Sequence, residues 1–170
     1  MPRSFDMAAD YEGTVEQVHR AFSDEQYWLV RLTESGADES TLDEMVIGAD
    51  GSIRVKSTQT MRSQNLPGLV TQFHRGDLSF VREEIWTPVA GGRATGAVTG
   101  SIPGAPVSLT GDLALTPAEA GSGSRLSAAT SVEVRIPLVG GKIESFIGTQ
   151  LVGLLYAEQR FTTEWISQNR

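Results

Sequence analysis

The stretch from residue 142 to about residue 168 limits the possible folds more than any other part of this sequence. It follows Gly140-Gly141, contains no proline, and repeats Ile143, Ile147, Leu151, Leu154, Phe161 and Trp165 at helical spacing. At 1.5 Å per residue such a helix is roughly 40 Å long. A helix of that length buries one stripe only if an extended surface lies along it. The rest of the chain must therefore supply that surface.

What precedes it reads mainly as strands. Residues 3–11 alternate, with Phe5, Met7, Ala9 and Tyr11 on one face. Thr14 then opens a helical stretch carrying Val15, Val18 and Phe22, and Gln17 completes a capping box with it. A second short helix holds Tyr27, Trp28, Leu29, Val30 and Leu32 and ends near Ser35-Gly36. Strand-like runs follow at 41–47, 52–61, 77–87, 93–102, 107–116 and 125–136, separated by turn formers such as Gly48-Ala49-Asp50-Gly51 and Gly121-Ser122-Gly123-Ser124. A turn with a short helical piece at 66–70 interrupts the series. Short connections between regular strands make an antiparallel meander. The prediction is an α+β protein with a seven-stranded curved antiparallel sheet and two short helices after the first strand. Residues 140–168 form one helix across the concave face, in a single domain over 1–170.

Composition removes several classes of function. The 170 residues carry 14 Lys+Arg against 21 Asp+Glu, a net charge of −7, which disfavours nucleic acid and anionic membrane surfaces as partners. There is no cysteine, which excludes disulfides, thiolate metal sites and cysteine nucleophiles. With only His19 and His74, one chain cannot build a three-histidine metal site. Neither a metal nor another cofactor is expected. The first residues lack an apolar signal core, and no run approaches the ~18 apolar residues of a membrane span. The expectation is a cytoplasmic protein, monomeric or homodimeric.

The order of one strand, two short helices, six strands and a long helix resembles the helix-grip proteins. These comprise START domains, birch-pollen-allergen-like proteins and polyketide cyclases, together called SRPBCC. Within them the text is similar to the actinobacterial, uncharacterised DUF2505 family. The similarity lies in residues 3–9, Leu66-Pro67-Gly68, Glu84-Ile85-Trp86, Ile102-Pro103-Gly104-Ala105-Pro106, and the run from Ile136-Pro137-Leu138 to Lys142-Ile143-Glu144. It spans essentially the whole chain and implies the fold. It carries no catalytic motif with it.

Catalytic templates find little in the residues themselves. There is no Gly-x-Ser-x-Gly elbow and no phosphate-loop glycine spacing. His19 sits on the first helix beside Val18 and Phe22 and reads as a packed or surface imidazole, and His74 reads as a surface residue. Glu83 and Glu84 are neighbours on a strand, so they point to opposite faces and form no dyad. Asp38, Glu39, Asp43 and Glu44 are expected to face solvent.

One residue breaks its own pattern. Glu158 falls between Leu154 and Phe161 on the apolar stripe of the last helix, with Gln150 nearer the edge of that face. A carboxylate there must reach water or find a cation, because an unpaired buried charge is expensive. Either it bonds a sheet residue such as Arg82 or reaches the rim, or it projects into a cavity and orients a polar ligand group. Arg82 is itself ambiguous, since both faces of its strand mix apolar and charged residues. Met7, Phe146 and Trp165 join Met61, Phe80 and Trp86 as possible apolar pocket walls. The candidate ligand-binding set is Glu158, Arg82, Gln59, Met61, Phe80, Trp86, Gln150, Leu154 and Phe161, and no catalytic residue is assigned. The expected function is binding or carriage of a small hydrophobic molecule such as a lipid, polyketide or aromatic compound. The alternatives are a cyclase- or dehydratase-type enzyme, for which Glu158, Arg82 and Gln59 are the candidates, and a protein-interaction module with a solid core.

Overall fold

The computed structural model describes residues 2–119 and 121–169. In chain order the elements are β1 (Arg3–Tyr11), α1 (Val15–Phe22), α2 (Glu25–Thr33), β2 (Glu39–Ile47) and β3 (Ile53–Met61). A 3₁₀ turn (Ser63–Asn65) and one turn of helix, α3 (Gly68–Thr71), lead to β4 (Leu78–Trp86), β5 (Ala94–Ser101), β6 (Val107–Pro117), β7 (Ser124–Val134) and α4 (Gly140–Gln168). The strands form one antiparallel sheet in the order β1-β7-β6-β5-β4-β3-β2. β2 to β7 are a meander, and β1 closes onto β7. The two short helices therefore carry the chain from one edge of the sheet to the other. This is the helix-grip architecture that the element order implies.

Local chemistry accounts for the ends of these elements. The Thr14 hydroxyl accepts from the Gln17 backbone N–H at 3.1 Å, and Gln17 Oε1 accepts from the Thr14 N–H at 2.9 Å, closing the capping box. Asp24 caps α2 by accepting from the Gln26 N–H at 2.9 Å. The register of β2 against β3 shifts between Leu42 and Glu44, so Asp43 is bulged, and its carboxylate accepts from the Thr41 and Thr58 hydroxyls. Asp38, Glu39, Asp43 and Glu44 are all exposed.

α4 has the expected length but a different buried face. Its deepest positions are Ile143, Glu144, Gly148, Leu155, Thr162 and Ile166. Ile147, Leu151, Leu154, Phe161 and Trp165 flank that line and are partly buried. The cause is close approach to β1 and β7, the strands α4 packs on. A methyl at Gly148 would collide with the Phe5 ring, and one at Gly140 with the Val134 carbonyl oxygen. The Glu144 carboxylate, 1% exposed, accepts the Val134 N–H at 2.8 Å and lies 3.8 Å from Arg3 Nε. It ties the first turn of α4 to the end of β7.

An aromatic cluster joins α1 and α2 to the sheet and α4. Phe22 meets Tyr27 at 5.7 Å, Trp28 at 5.9 Å and Trp86 at 5.4 Å between ring centroids. Tyr27 in turn meets Phe161 and Trp165 of α4 at 5.5 and 5.8 Å. Tilted and edge-on rings at these separations add to the area they bury. This aromatic cluster fixes α2 and the second half of α4 relative to each other, and so positions the charged groups described next.

Candidate functional site

β4 turns Phe80, Arg82, Glu84 and Trp86 towards α4, while Glu83 on its other face bonds Arg54. The alternation of the strand leaves this choice open. β5 makes room for the inward set: a side chain at Gly100 would collide with the Phe80 ring, and one at Gly96 with the Trp86 indole. Both rings therefore lie over β5, and Arg82 extends between them towards the helix.

There it meets Glu158, and a second arginine does too. Glu158 Oε2 accepts from Arg31 Nη2 at 2.6 Å and from Arg82 Nη1 at 2.8 Å. Arg82 Nη2 also donates to Glu84 Oε1 at 2.9 Å, and Glu84 Oε2 accepts the Trp86 indole N–H at 2.7 Å. The Arg31 guanidinium stacks 4.6 Å above the Trp28 ring and donates to the Tyr27 hydroxyl at 3.1 Å. Thr162 spends its single proton on the Glu158 carbonyl at 2.7 Å, so across the 2.6 Å contact between the two hydroxyls Tyr27 donates to Thr162. Two cations and two anions cancel, and each has a partner.

The electrostatics follow from that pairing. Burial alone would raise the Glu158 pKa, but Arg31 and then Arg82 outweigh it and hold the carboxyl at about 2. Burial opposes the charge on both arginines, yet Glu158 and its neighbours raise their pKa values above the usual one. Tyr27 is pushed up, first by burial. Tyr11 is also pushed well up, first by burial and then by Tyr27, so it remains a neutral phenol.

This cluster separates two cavities. The inner one, about 70 Å³, lies between the sheet and α4 and is mostly apolar, with Met7, Phe22, Phe80, Trp86, Leu113 and Leu155 among its walls. The outer cleft, about 260 Å³, is lined by Trp28, Ser57, Gln59, Arg160, Phe161 and Glu164 among others. Arg31, Arg82, Leu154 and Glu158 border both. Those four side chains are the partition.

The structure gathers most of the sequence candidates here, though not all. Glu158, Arg82, Phe80, Trp86 and Leu154 border the inner cavity, and Gln59 and Phe161 border the outer cleft. Gln150 is exposed, because its position on α4 faces away from the sheet, and it borders neither cavity. Met61 is half-buried at the far end of β3, and it too borders neither. Of the suggested apolar walls, Met7 reaches the inner cavity, while Trp165 stacks on Phe161 instead. Glu158 is committed to two arginines and is not a free acid facing a ligand.

Sequence reasoning misses Arg31, Glu84 and Tyr11 as site residues. Glu84 is in phase with Phe80, Arg82 and Trp86, and Arg31 follows Tyr27 by one helical turn. Those two phases are the available signals. The histidines are spent on backbone: His19, 8% exposed, donates to the Thr87 carbonyl at 2.9 Å, and His74 to the Asp77 carbonyl at 3.0 Å. Among the described residues no helix is long and apolar enough to cross a membrane.

Comparison with known proteins agrees with this architecture. In solved structures the chain is similar to the protein TTHA0849 from Thermus thermophilus, with TM-score 0.62 and 15% identity over 98% of each chain. It is likewise similar to the Zhui aromatase/cyclase from Streptomyces sp. R1128, with TM-score 0.62 and 9% identity over 99% of this chain and 95% of that one. An uncharacterized protein of Mycobacterium tuberculosis is 54% identical, with 99% of both chains covered. The sequence pattern of the family described as "Protein of unknown function (DUF2505)" matches residues 6–166. On that match and that identity, the chain belongs to the DUF2505 family.

Proposed function

We propose that this protein binds a small hydrophobic molecule between the concave sheet face and α4. The observation that carries the reading is the pair of cavities, an apolar one inside and a cleft outside, divided by only four side chains. The inner volume is well below the ~300–1,000 Å³ of a typical small-molecule site. A ligand of ordinary size must therefore occupy both spaces and displace part of the partition. Arg82, 18% exposed, reaches the partition from β4 and is one of the four side chains that border both spaces.

Binding fits better than catalysis because the four charged groups at the site are bonded to one another. Glu158, held near a pKa of 2, is no proton donor at neutral pH. The aromatase/cyclase to which the chain is similar keeps the enzymatic reading open as the second one, with Gln59 and Arg82 as its polar candidates. Native mass spectrometry of protein purified from its own host tests the proposal. A stoichiometric extra mass of a few hundred daltons, lost on denaturation, is the expected result; apo protein at every host growth stage would contradict it.

A further inference from the structure

Six polar side chains border the inner cavity: Tyr11, Arg31, Arg82, Glu84, Thr130 and Glu158. Five are spent within the protein. The four charged groups bond one another, and the Thr130 hydroxyl donates to the Phe5 carbonyl at 2.9 Å. The sixth is different. Tyr11, the last residue of β1, is 4% exposed, and no side-chain hydrogen bond among the described residues reaches its hydroxyl. Yet it is absent from the fully enclosed, unpartnered polar atoms, of which the described residues have none. The hydroxyl therefore keeps some surface, and Tyr11 lines the inner cavity.

We infer that the Tyr11 hydroxyl is the specificity-determining donor of this site, selecting an uncharged ligand that carries a carbonyl or similar acceptor on its inner end. The inference rests on the ligand-binding reading above. Two features of the site fix the class. The charges around the cavity cancel, so a ligand bearing a net charge would enter a desolvated space without a counter-ion. And Tyr11 is a neutral phenol, which offers one proton to an acceptor. In the free protein water is the partner available to it. A ligand whose inner end cannot accept displaces that water and strands the hydroxyl, whereas a carbonyl replaces the lost bond.

Three probes of similar shape test this by NMR titration of the ¹⁵N-labelled protein: acetophenone, isopropylbenzene and benzoate. Acetophenone should bind roughly five- to tenfold more tightly than isopropylbenzene, the worth of one net hydrogen bond. Tyr11→Phe fills the same space and breaks no bond to the protein. It should melt at or slightly above the wild-type temperature, bind isopropylbenzene more tightly than the wild type does because no hydroxyl is stranded, and lose the preference for acetophenone. Equal affinity for acetophenone and isopropylbenzene in the wild type would overturn the role of Tyr11 while leaving the cavity reading in place. So would a preference that survives Tyr11→Phe. Tighter binding of benzoate would overturn the uncharged class. If none of the three perturbs residues around the cavity, both the inference and the binding reading fall.

Discussion

Glu158 holds two arginines on one carboxylate, and that stoichiometry decides what its removal does. Glu158→Leu makes the apolar stripe of α4 continuous but leaves Arg82 with Glu84 alone and takes from Arg31 the carboxylate it is bonded to. Losing one partner of a buried ion cluster costs roughly 3 kcal/mol or more. Thermal melts should show Glu158→Leu strongly destabilised and Glu158→Gln, which still accepts hydrogen bonds, less so. A Leu variant more stable than the wild type would refute the pairing. The same residue sets an acid limit. Its folded pKa, about 2, lies below the ordinary 4.5, so its contribution is complete above the ordinary value and vanishes as the pH falls through the folded one. On the order of 3 kcal/mol is therefore lost between about pH 4.5 and pH 2. Urea midpoints measured across that window should fall more steeply for the wild type than for Glu158→Gln. Arg82 is among the partners the sequence offers Glu158, although both faces of its strand mix apolar and charged residues. Arg31 is not, because only the tertiary fold brings α2 over the middle of α4.

Among the elements, the entry to α4 concentrates the strain. Leu138 is fully exposed with φ at +72°, in the left-handed region that costs a residue with a Cβ roughly 1 kcal/mol. Asparagine tolerates that region better, so Leu138→Asn should raise the melting temperature by a few degrees. Two residues on, Gly140→Ala should do the opposite, because its methyl meets the Val134 carbonyl oxygen and backbone cannot step aside. A loss of roughly 1–3 kcal/mol is expected in denaturant titration. These positions also show where sequence reading stops. The capping box at Thr14, the strand alternation and the length of α4 are legible because each is a local pattern. The face of α4 is not, because Gly148 and Thr162 lie on its deepest line and neither is an apolar signal. The inward face of β4 is hidden for a related reason: both of its faces carry charge, and only the packing of α4 distinguishes them.

For the whole molecule, the central claim is that the space between sheet and helix is a ligand site rather than a packing defect. Ala128 on β7 borders the inner cavity and is 6% exposed, so a larger side chain there points into the void. Three added carbons take up part of that space. Ala128→Leu should therefore fold, melt at or above the wild-type temperature, and compete with whatever the cavity holds. The decisive measurement is native mass spectrometry of wild type and Ala128→Leu, expressed and purified side by side in the protein's own host. The account predicts an extra small-molecule mass on the wild type and none on the folded variant. The same mass on both proteins would place the ligand elsewhere and contradict it.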